Sequence, residues 1–311
     1  MATTSGTTAF NLDLNDLIEE AFERCGKELR TGYDFRTARR SMNLLTIEWA
    51  NRGINLWTIE QGQIQMNSFQ AVYALPVDTI DLLDHVIRTG NGSQSNQIDI
   101  NITRISESTY STIPNKNTNG RPIQVWINRQ TGLSPSTAST TLASGISATD
   151  TTINLANASS LPLVGFITIG SELIAYQNIV GNQIVNAWRG QNGTTATAHS
   201  GGAQVTVNNL PCINVWPTPN PPGDQYTFVY WRMRRIQDAG TGTNIGDIPF
   251  RFIPCMVAGL AYYLSIKLPD VTPERVAVLK ADYEQQWTLA EQEDREKAAV
   301  RFVPRNLFYY R

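Results

Sequence analysis

The sequence predicts an α+β protein: N- and C-terminal helices forming a helical bundle with an antiparallel β region, plus an inserted small all-β domain that is barrel- or sandwich-like. Three observations predict this class. Apolar residues recur every three or four positions near both ends of the chain, they alternate with polar residues in between, and charged residues are almost absent from residues 131–210. Spacings of three and four indicate helices, and alternation indicates strands.

Two helices are predicted near the start of the chain. The first carries an apolar stripe over residues 14–25, and Asn11 or Asp13 precedes it as a capping residue. The second begins at Asp34 and stops before Gly53, because a basic residue followed by glycine is a typical helix C-terminus. We expect these two helices to form an antiparallel hairpin.

Strands are predicted from residue 54 onward, where the apolar period changes to two. Clusters of Gly, Asn and Ser separate the runs, and residues 109–120 are rich enough in turn-forming residues to predict an exposed loop. Strand-like sequence returns after residue 210 and is expected to complete the sheet begun before residue 130. The predicted strands cover residues 80–88, 97–105, 122–128, 212–216 and 226–236.

Residues 131–210 differ in composition from the rest of the chain. They contain no lysine, and short β-like runs recur along them. The dipeptides that begin at Gly170 and Gly181 fall between consecutive runs, as the turns of tight hairpins do. We interpret the segment as an all-β domain inserted within a host domain. Its only charged residues are Asp150, Glu172 and Arg189.

Two more helices are predicted towards the end of the chain. Residues 252–268 are apolar on nearly every side, which predicts a buried helix. Pro254 and Lys267 interrupt this run, so we do not expect it to span a membrane. The last helix begins at Pro273, a residue favoured in the first turn. Residues 291–297 are almost all charged, which predicts a helix end that projects into solvent or along a partner.

The last part of the chain combines aromatic residues with arginine, two types that are enriched at protein interfaces. Because these residues follow a solvated helix, we expect a peptide that docks on a partner. Packing back onto the chain's own core is the alternative. The docking residues are predicted to be Phe302, Val303, Arg305, Leu307, Phe308, Tyr309, Tyr310 and Arg311.

These patterns predict three parts of the chain. Residues 1–130 and 211–300 form the host domain, which combines the helical bundle with a β-sheet. Residues 131–210 form the inserted all-β domain, and residues 301–311 form the docking tail. The length of 311 residues agrees with more than one domain, since domains average about 100–150 residues.

The composition excludes a main role in high-affinity binding to duplex nucleic acid. Only 17% of the residues are charged and the net charge is −2, whereas such binding usually needs a basic surplus. Thr (32 residues) and Asn (25 residues) supply the polarity instead. Neutral polar chains of this kind are common in β-rich assemblies, in which neighbouring copies cover the surfaces.

The sequence lacks the common motifs of catalysis and cofactor binding. It contains no GxxxxGK[ST], no GxGxxG after a strand, no HExxH and no GxSxG. His85 and His199 are expected to be ordinary hydrogen-bonded histidines, and the widely spaced Cys25, Cys212 and Cys255 are expected to be buried free thiols. We therefore expect no catalytic residues, no metal site and no cofactor.

A basic cluster lies near the start of the chain, where six basic residues stand against two acidic ones. One interpretation is a face towards nucleic acid or towards an acidic surface of a partner or neighbouring subunit. The other is ion pairing with acidic residues of the first and last helices, or a solvated face. The arginines of residues 231–235 leave the same alternatives open. The cluster consists of Arg24, Lys27, Arg30, Arg36, Arg39 and Arg40.

The predicted front hairpin resembles a family of phage proteins. The residues that carry the resemblance are LNDLIEEAFERCG at 14–26, ARRSMNLL at 38–45 and WANRG at 49–53. They are similar to the head-to-tail adaptor (connector) proteins of short-tailed double-stranded DNA phages. The resemblance covers residues 11–56 well and residues 249–300 loosely.

The inserted segment resembles a different group, a small β module found in several phage virion proteins. The similar residues are FITIGSELIAY at 166–176, WRG at 188–190 and GTTA at 193–196, ahead of His199. Simple adaptors lack such an insert.

The adaptor resemblance implies a structural protein without catalytic activity. It implies a homo-oligomeric ring, a dodecamer, that joins the portal protein to the tail nozzle protein around the DNA channel, with non-specific proximity to packaged double-stranded DNA. The C-terminal tail would dock on the portal. The chain would be made in the host cytoplasm, since the sequence MATTSGTTAF does not resemble a signal peptide, and it would reside at the head–tail junction of the virion.

Two other functions stay open at this point. One is a different tail, nozzle or decoration protein whose β module binds carbohydrate. The other is a cell-wall glycan hydrolase, which needs only two suitably spaced carboxylates, although no sequence spacing marks such a pair.

Overall fold

The computed structural model describes residues 6–8, 10–90, 96–130, 139–222 and 225–295. Helices and antiparallel sheets occur together in this part of the chain, which confirms the predicted α+β class. The helices are α1 (Leu14–Arg24), α2 (Gly32–Arg52), α3 (Glu107–Ser111), α4 (Ile253–Ser265) and α5 (Pro273–Glu293). The strands are β1 (Ile59–Gln65), β2 (Val72–Ala74), β3 (Thr79–Thr89), β4 (Ile98–Asn101), β5 (Thr103–Arg104), β6 (Asn119–Gly120), β7 (Gln124–Asn128), β8 (Ser139–Thr141), β9 (Ile153–Asn154), β10 (Gly165–Ile169), β11 (Glu172–Tyr176), β12 (Asn178–Val180), β13 (Gln183–Val185), β14 (Gln204–Asn208), β15 (Cys212–Trp216), β16 (Thr218–Pro219) and β17 (Tyr226–Arg234).

The described chain divides into two compact units. The first, the helical unit, comprises the described residues up to Thr58 and from Ile236 onward, and the second, the β unit, comprises Ile59–Arg235. The helical unit contains α1, α2, α4 and α5. The β unit contains α3 and the strands named above. The domain boundaries near residues 130 and 211 stay a prediction.

Helices α1 and α2 begin with side-chain caps. The Asp13 carboxylate accepts a hydrogen bond from the Asp16 N–H at 3.0 Å, so Asp13 is the cap of α1. Thr31 and Asp34 form a capping box at 3.2 and 3.1 Å, which starts α2 two residues before the predicted position. Gly53 ends α2 with a φ of 96°, a left-handed conformation that glycine adopts at little cost.

Helix α4 is the buried element of the helical unit, as its apolar sequence predicts. Ten of its 13 residues are buried, and α1, α2 and α5 pack around it in one core. Trp49 of α2 contacts Trp287 of α5 edge to face, with ring centroids 6.1 Å apart. Gly259 lets the helices approach closely, because a Cβ at this position would lie 2.8 Å from the side chains of both Leu45 and Tyr283.

The charged end of α5 is held against the chain. The Asp294 carboxylate accepts hydrogen bonds from the N–H groups of Asn55 and Leu56, at 2.7 and 3.2 Å. Glu293 pairs with Arg251. The expectation of a projecting helix end is therefore wrong at residues 293–294, and residues 296–300 lie outside the described residues.

Two four-stranded sheets share a core in the β unit. One has the strand order β1-β17-β3-β4 and is antiparallel throughout, and the other has the order β2-β15-β7-β5, in which β5 and β7 run parallel. Side chains of both sheets, including Ile87, Phe228, Val125 and Ile213, pack in the same cluster. Strands after residue 210 thus pair with strands before residue 130, as predicted.

Residues 139–208 form two further sheets around a core of their own. Their strand orders are β11-β10-β14-β8 and β12-β13-β9, and Ile167, Ile174 and Val205 belong to their shared core. Gly170 and Gly181 occupy the two-residue turns with φ values of 60° and 61°, so the predicted hairpins form. Neither sheet closes into a barrel. Of the two predicted forms, barrel and sandwich, the barrel is therefore wrong for these described strands.

Strand β11 is buried on both of its faces. Leu173 and Ala175 pack with Val72 of β2 and Cys212 of β15, whereas Ile174 points into the core of residues 139–208. Residues 139–208 therefore pack directly on the β2-β15 sheet.

Helix α3 overlaps the start of the predicted exposed loop. It covers residues 107–111, whereas the loop was predicted for residues 109–120. The Ser106 hydroxyl caps this short helix by accepting a hydrogen bond from the Thr109 N–H at 3.2 Å. Tyr110 is buried and stacks on Trp126 with ring centroids 5.2 Å apart. The loop prediction is therefore wrong for residues 109–111, because burial of one aromatic residue fixes a segment of turn-like composition, whereas residues 112–118 contain no helix or strand.

Candidate interaction surface

One face of α2 is exposed and carries both apolar and basic side chains. Tyr33, Leu44 and Ile47 are 65%, 52% and 50% exposed, and Arg36 and Arg40 are exposed between them. Spacings of three and four residues place these five side chains on one side of the helix. We call this set the α2 face. Exposed apolar residues together with arginine are typical of a protein interface.

Half of the predicted basic cluster is neutralised within the helical unit. The Arg24 guanidinium lies 3.0 Å from Glu20 and 3.3 Å from Asp282. Lys27 and Arg30 also form ion pairs with acidic side chains, at N–O distances of 3.8 and 3.1 Å. For these three residues the structure favours the ion-pair interpretation of the sequence pattern.

The other half of the cluster is exposed. Arg36, Arg39 and Arg40 form no ion pair with the described part of the chain. Lys267 lies close to this set and donates a hydrogen bond to the Ser41 hydroxyl at 2.7 Å. Burial, and secondarily the positive charge of Arg40, lower the pKa of Lys267.

A second surface of the helical unit is acidic. A groove of about 480 Å³ runs between α1 and the start of α4. Phe10, which is 77% exposed, and Pro254 give the groove apolar walls. We call it the acidic groove, because its charged lining is four acidic residues and one arginine: Asp16, Glu19, Glu20, Glu23 and Arg24.

The second arginine run is used for internal pairing in the β unit. Arg232 is buried, and its guanidinium lies 2.6 Å from Asp78 and 2.9 Å from Glu60. Arg234 contacts Glu60 at 2.6 Å. These ion pairs tie β17 to β1 and to the turn before β3, so Arg232 and Arg234 hold the sheet together.

A buried charge cluster in residues 139–208 was not predicted from the sequence. The Glu172 carboxylate is fully buried and accepts two hydrogen bonds from the Arg189 guanidinium, at 2.7 and 2.8 Å. His199 Nε2 lies 2.8 Å from the same carboxylate, and the Gly190 and Thr197 N–H groups each donate to it at 3.1 Å. The sequence did offer one indication of this pair, the scarcity of charged residues in the segment. When a few charges of opposite sign are buried together, they must pair.

The hydrogen bonds of this cluster determine the ionisation of Glu172. Burial raises the pKa of the carboxyl group, but the hydrogen bonds from Arg189, His199 and the two backbone N–H groups outweigh burial and lower the pKa to about 2. Glu172 is thus ionised at neutral pH and engaged through both oxygens. Such a carboxylate holds loops together and is unsuited to donate a proton in catalysis.

The two histidines differ in their surroundings. His199 is hydrogen-bonded, as predicted. His85 is buried in β3 and stacks on Phe228, and neither ring nitrogen forms a hydrogen bond of good geometry within the described part of the chain. Burial lowers the pKa of His85, which keeps the ring neutral.

The three cysteines are free and buried, as predicted. Burial raises the pKa of Cys25 to about 11 and the pKa values of Cys212 and Cys255 to about 12. All three are therefore protonated thiols at neutral pH, which makes them poor nucleophiles.

The predicted docking tail, residues 301–311, lies outside the described residues. Within the described ranges, no three His, Cys, Asp or Glu side chains come together as ligands of a metal ion. No helix in the described part of the chain combines the length and the apolar character needed to cross a bilayer. Comparison of the chain with protein-family models and with curated proteins gives no match.

Proposed function

We propose that this chain is a structural virion protein, a head-to-tail adaptor whose copies form a ring between the portal and the tail nozzle around the DNA channel. The α2 face carries this proposal, because its apolar side chains are exposed and its arginines lack ion-pair partners among the described residues. Surfaces of this kind are typical of interfaces with another protein. The resemblance of residues 11–56 to adaptor proteins includes this helix and supports the same role.

We propose further that the α2 face of one copy binds the acidic groove of the next. The two surfaces have opposite charge, and both include exposed apolar side chains. Contact between two different patches of the same chain generates a ring when the rotation closes. Leu44 and Ile47 favour a subunit contact over a DNA contact, because phosphate binding uses basic and polar groups and needs no apolar ones.

The same proposal gives a role to the other parts of the chain. The four long helices would form the host bundle of the adaptor, and residues 131–210 would be an inserted virion β module. The separate core of residues 139–208 supports this division. Residues 301–311 would dock on the portal, and their aromatic and arginine content supports this role. Repetition around a ring would convert a modest contact per copy into high avidity.

The subunit contact is tested by reversing charge on both surfaces. In the double variant Arg36→Glu/Arg40→Glu, we expect assembly on the portal of the same phage to weaken by at least about tenfold, equivalent to ~1.4 kcal/mol. Adding Glu19→Arg and Glu23→Arg in the same chain should restore assembly, because the charges are then exchanged across the interface. Sedimentation velocity of chain–portal mixtures measures both effects.

Arg30→Glu is the matched control for this experiment. Arg30 is exposed and already pairs with Glu28, so its reversal should leave assembly unchanged. Unimpaired assembly of the Arg36→Glu/Arg40→Glu variant would contradict the proposed contact. A loss of assembly that the Glu19→Arg/Glu23→Arg exchange does not restore would assign the α2 face to a different partner.

A second candidate function is a nozzle or decoration protein that binds carbohydrate. A cleft in the β unit favours this candidate, because amide and aromatic side chains line it and none of its described lining residues is charged.

A further inference from the structure

A cleft of about 680 Å³ lies within the β unit, where residues 68–69 and 117–119 meet the β12-β13 hairpin and the residues that follow it. Neither the α2 face nor the acidic groove includes any part of it. Its lining includes two aromatic rings, those of Phe69 and Trp188, and five side-chain amides: Asn117, Asn119, Gln177, Asn178 and Asn186.

The aromatic rings of the cleft are held in place by backbone contacts. The indole N–H of Trp188 donates a hydrogen bond to the Ser68 carbonyl at 3.3 Å, and the Phe69 N–H donates to the Pro219 carbonyl at 2.9 Å. Phe69 nevertheless has a φ of 66° and is 48% exposed. Positive φ is unfavourable for a bulky residue and tends to persist at functional sites. The fold thus holds a half-exposed apolar ring at the edge of the cleft.

Four of the five amides of the cleft have polar groups available for a ligand, whereas the Asn119 side-chain oxygen accepts a hydrogen bond from the Thr218 hydroxyl at 2.7 Å. The side chains of Asn117, Asn178 and Asn186 form no hydrogen bond with the described part of the chain. Gln177 uses its carbonyl oxygen to accept from the Ala71 N–H, and its NH₂ group stays unbonded there. Each amide can donate and accept hydrogen bonds, and a hydroxyl group does both as well, so amides are suitable partners for hydroxyl groups.

The charge of the cleft restricts the class of ligand. None of the described residues that line it is charged. Segment 139–208, which supplies part of the lining, has only three charged residues. Two of them, Glu172 and Arg189, pair with each other. A phosphate, carboxylate or ammonium ligand would lose hydration without gaining a counter-charge. A ligand with many neutral hydroxyl groups and an apolar C–H face matches the amides and the aromatic rings.

We propose that this cleft binds a neutral saccharide. The amides of Asn117, Asn178 and Asn186 bond the sugar hydroxyls, and Phe69 and Trp188 pack against the C–H face of the ring. This binding activity is independent of the adaptor role, since it uses a different unit of the chain.

The test follows the indole N–H signals of the full chain by nuclear magnetic resonance, with Trp188→Phe identifying the signal of Trp188. The probes are the methyl glycosides of glucose, galactose, mannose, rhamnose and N-acetylglucosamine, each at up to about 50 mM, well above the millimolar range of weak ligand affinity. We expect at least one of them to shift the Trp188 signal in a saturable manner. Asn178→Ala should weaken that binding about fivefold, the effect of losing one hydrogen bond of ~1 kcal/mol.

Asn101→Ala is the matched control, since Asn101 and Asn178 are both exposed strand asparagines and Asn101 lies outside the cleft. It should bind like the unchanged chain. No saturable shift with any of the five glycosides would overturn the proposal. A shift produced by inorganic phosphate or N-acetylneuraminic acid but by none of the neutral glycosides would also overturn it, because the ligand class would then be anionic.

Discussion

At the scale of single residues, Glu172 is the side chain on which the stability of residues 139–208 should depend most strongly. Arg189 is its principal partner, and the side chains of the pair are 0% and 7% exposed. Removing one member of a buried ion pair leaves the other charge uncompensated. Arg189 also donates hydrogen bonds to the carbonyl oxygens of Ser147 and Thr197, at 2.6 and 2.7 Å. These bonds still stabilise the guanidinium when Glu172 is replaced, which reduces the destabilisation.

We expect Glu172→Gln to destabilise residues 139–208 by about 3 kcal/mol, the lower end of the range for broken buried pairs. Hydrogen-exchange protection of residues 165–176 measures this locally, which matters because two compact units need not unfold in one transition. Gln204→Glu is the control. It exchanges an amide and a carboxylate at an exposed position of β14, so it should change protection by less than about 0.5 kcal/mol. Equal protection in Glu172→Gln and the unchanged chain would refute the structural role of Glu172.

The same residue predicts how stability depends on pH. The pKa of Glu172 falls from 4.5 to about 2 on folding, so the folded state holds the ionised form more tightly than the unfolded state does. The stabilisation is therefore complete above pH 4.5 and is lost progressively as the pH falls towards 2. Local protection of residues 165–176 should decline over this interval in the unchanged chain and decline less in Glu172→Gln. An identical decline in both would show that other groups cause the acid sensitivity.

At the scale of secondary-structure elements, β1 depends on a glycine. Gly62 lies opposite Tyr230 of β17, and a Cβ on Gly62 would lie 2.3 Å from the Tyr230 ring. Tyr230 is itself buried and stacks on Phe228 with ring centroids 5.7 Å apart. The ring therefore covers the β1 backbone and has little room to move.

We expect Gly62→Val to displace the Tyr230 ring and to destabilise the β unit by about 2 kcal/mol, as overpacking of a core does. Urea unfolding followed by hydrogen exchange in β1 and β17 measures the change. Gln63→Val places the same side chain at the exposed neighbouring position of the strand and should alter stability by less than about 0.5 kcal/mol. A comparable loss in both variants would mean that valine in β1, rather than contact with Tyr230, is responsible.

The sequence predicted regular elements better than it predicted the partners of single side chains. Helix α1 and strand β15 lie close to their predicted bounds, because their apolar periods reflect burial on one or both faces. The pairing of Arg24 with Asp282 joins residues 258 positions apart, and no local pattern marks it. The basic cluster therefore could be recognised from the sequence, but its division into paired and unpaired arginines could not.

The cleft of the β unit could not be predicted from the sequence, again because it depends on residues that are distant in the chain. Its lining comes from segments far apart in the chain, around Phe69, Asn117 and Asn178. Asparagine is common throughout this sequence, so composition gives no reason to single out these positions. Only the folded β unit brings the amides and the aromatic rings together.

At the scale of the whole molecule, the chain combines two units with different chemistry. The helical unit contains the exposed arginines and the acidic groove, whereas residues 139–208 of the β unit contain only three charges. An adaptor uses charge and apolar contacts to join its own copies, and a neutral β module can bind a different partner. We therefore propose that assembly belongs to the helical unit and ligand binding to the β unit.

The most direct test of the adaptor proposal is native mass spectrometry of the chain mixed with the portal ring of the same phage. We predict a discrete complex in which about twelve copies of the 34.5 kDa chain are added to the portal. Deletion of residues 301–311 should reduce the fraction of portal that is occupied. A portal ring that stays unbound at every mixing ratio would contradict the adaptor role.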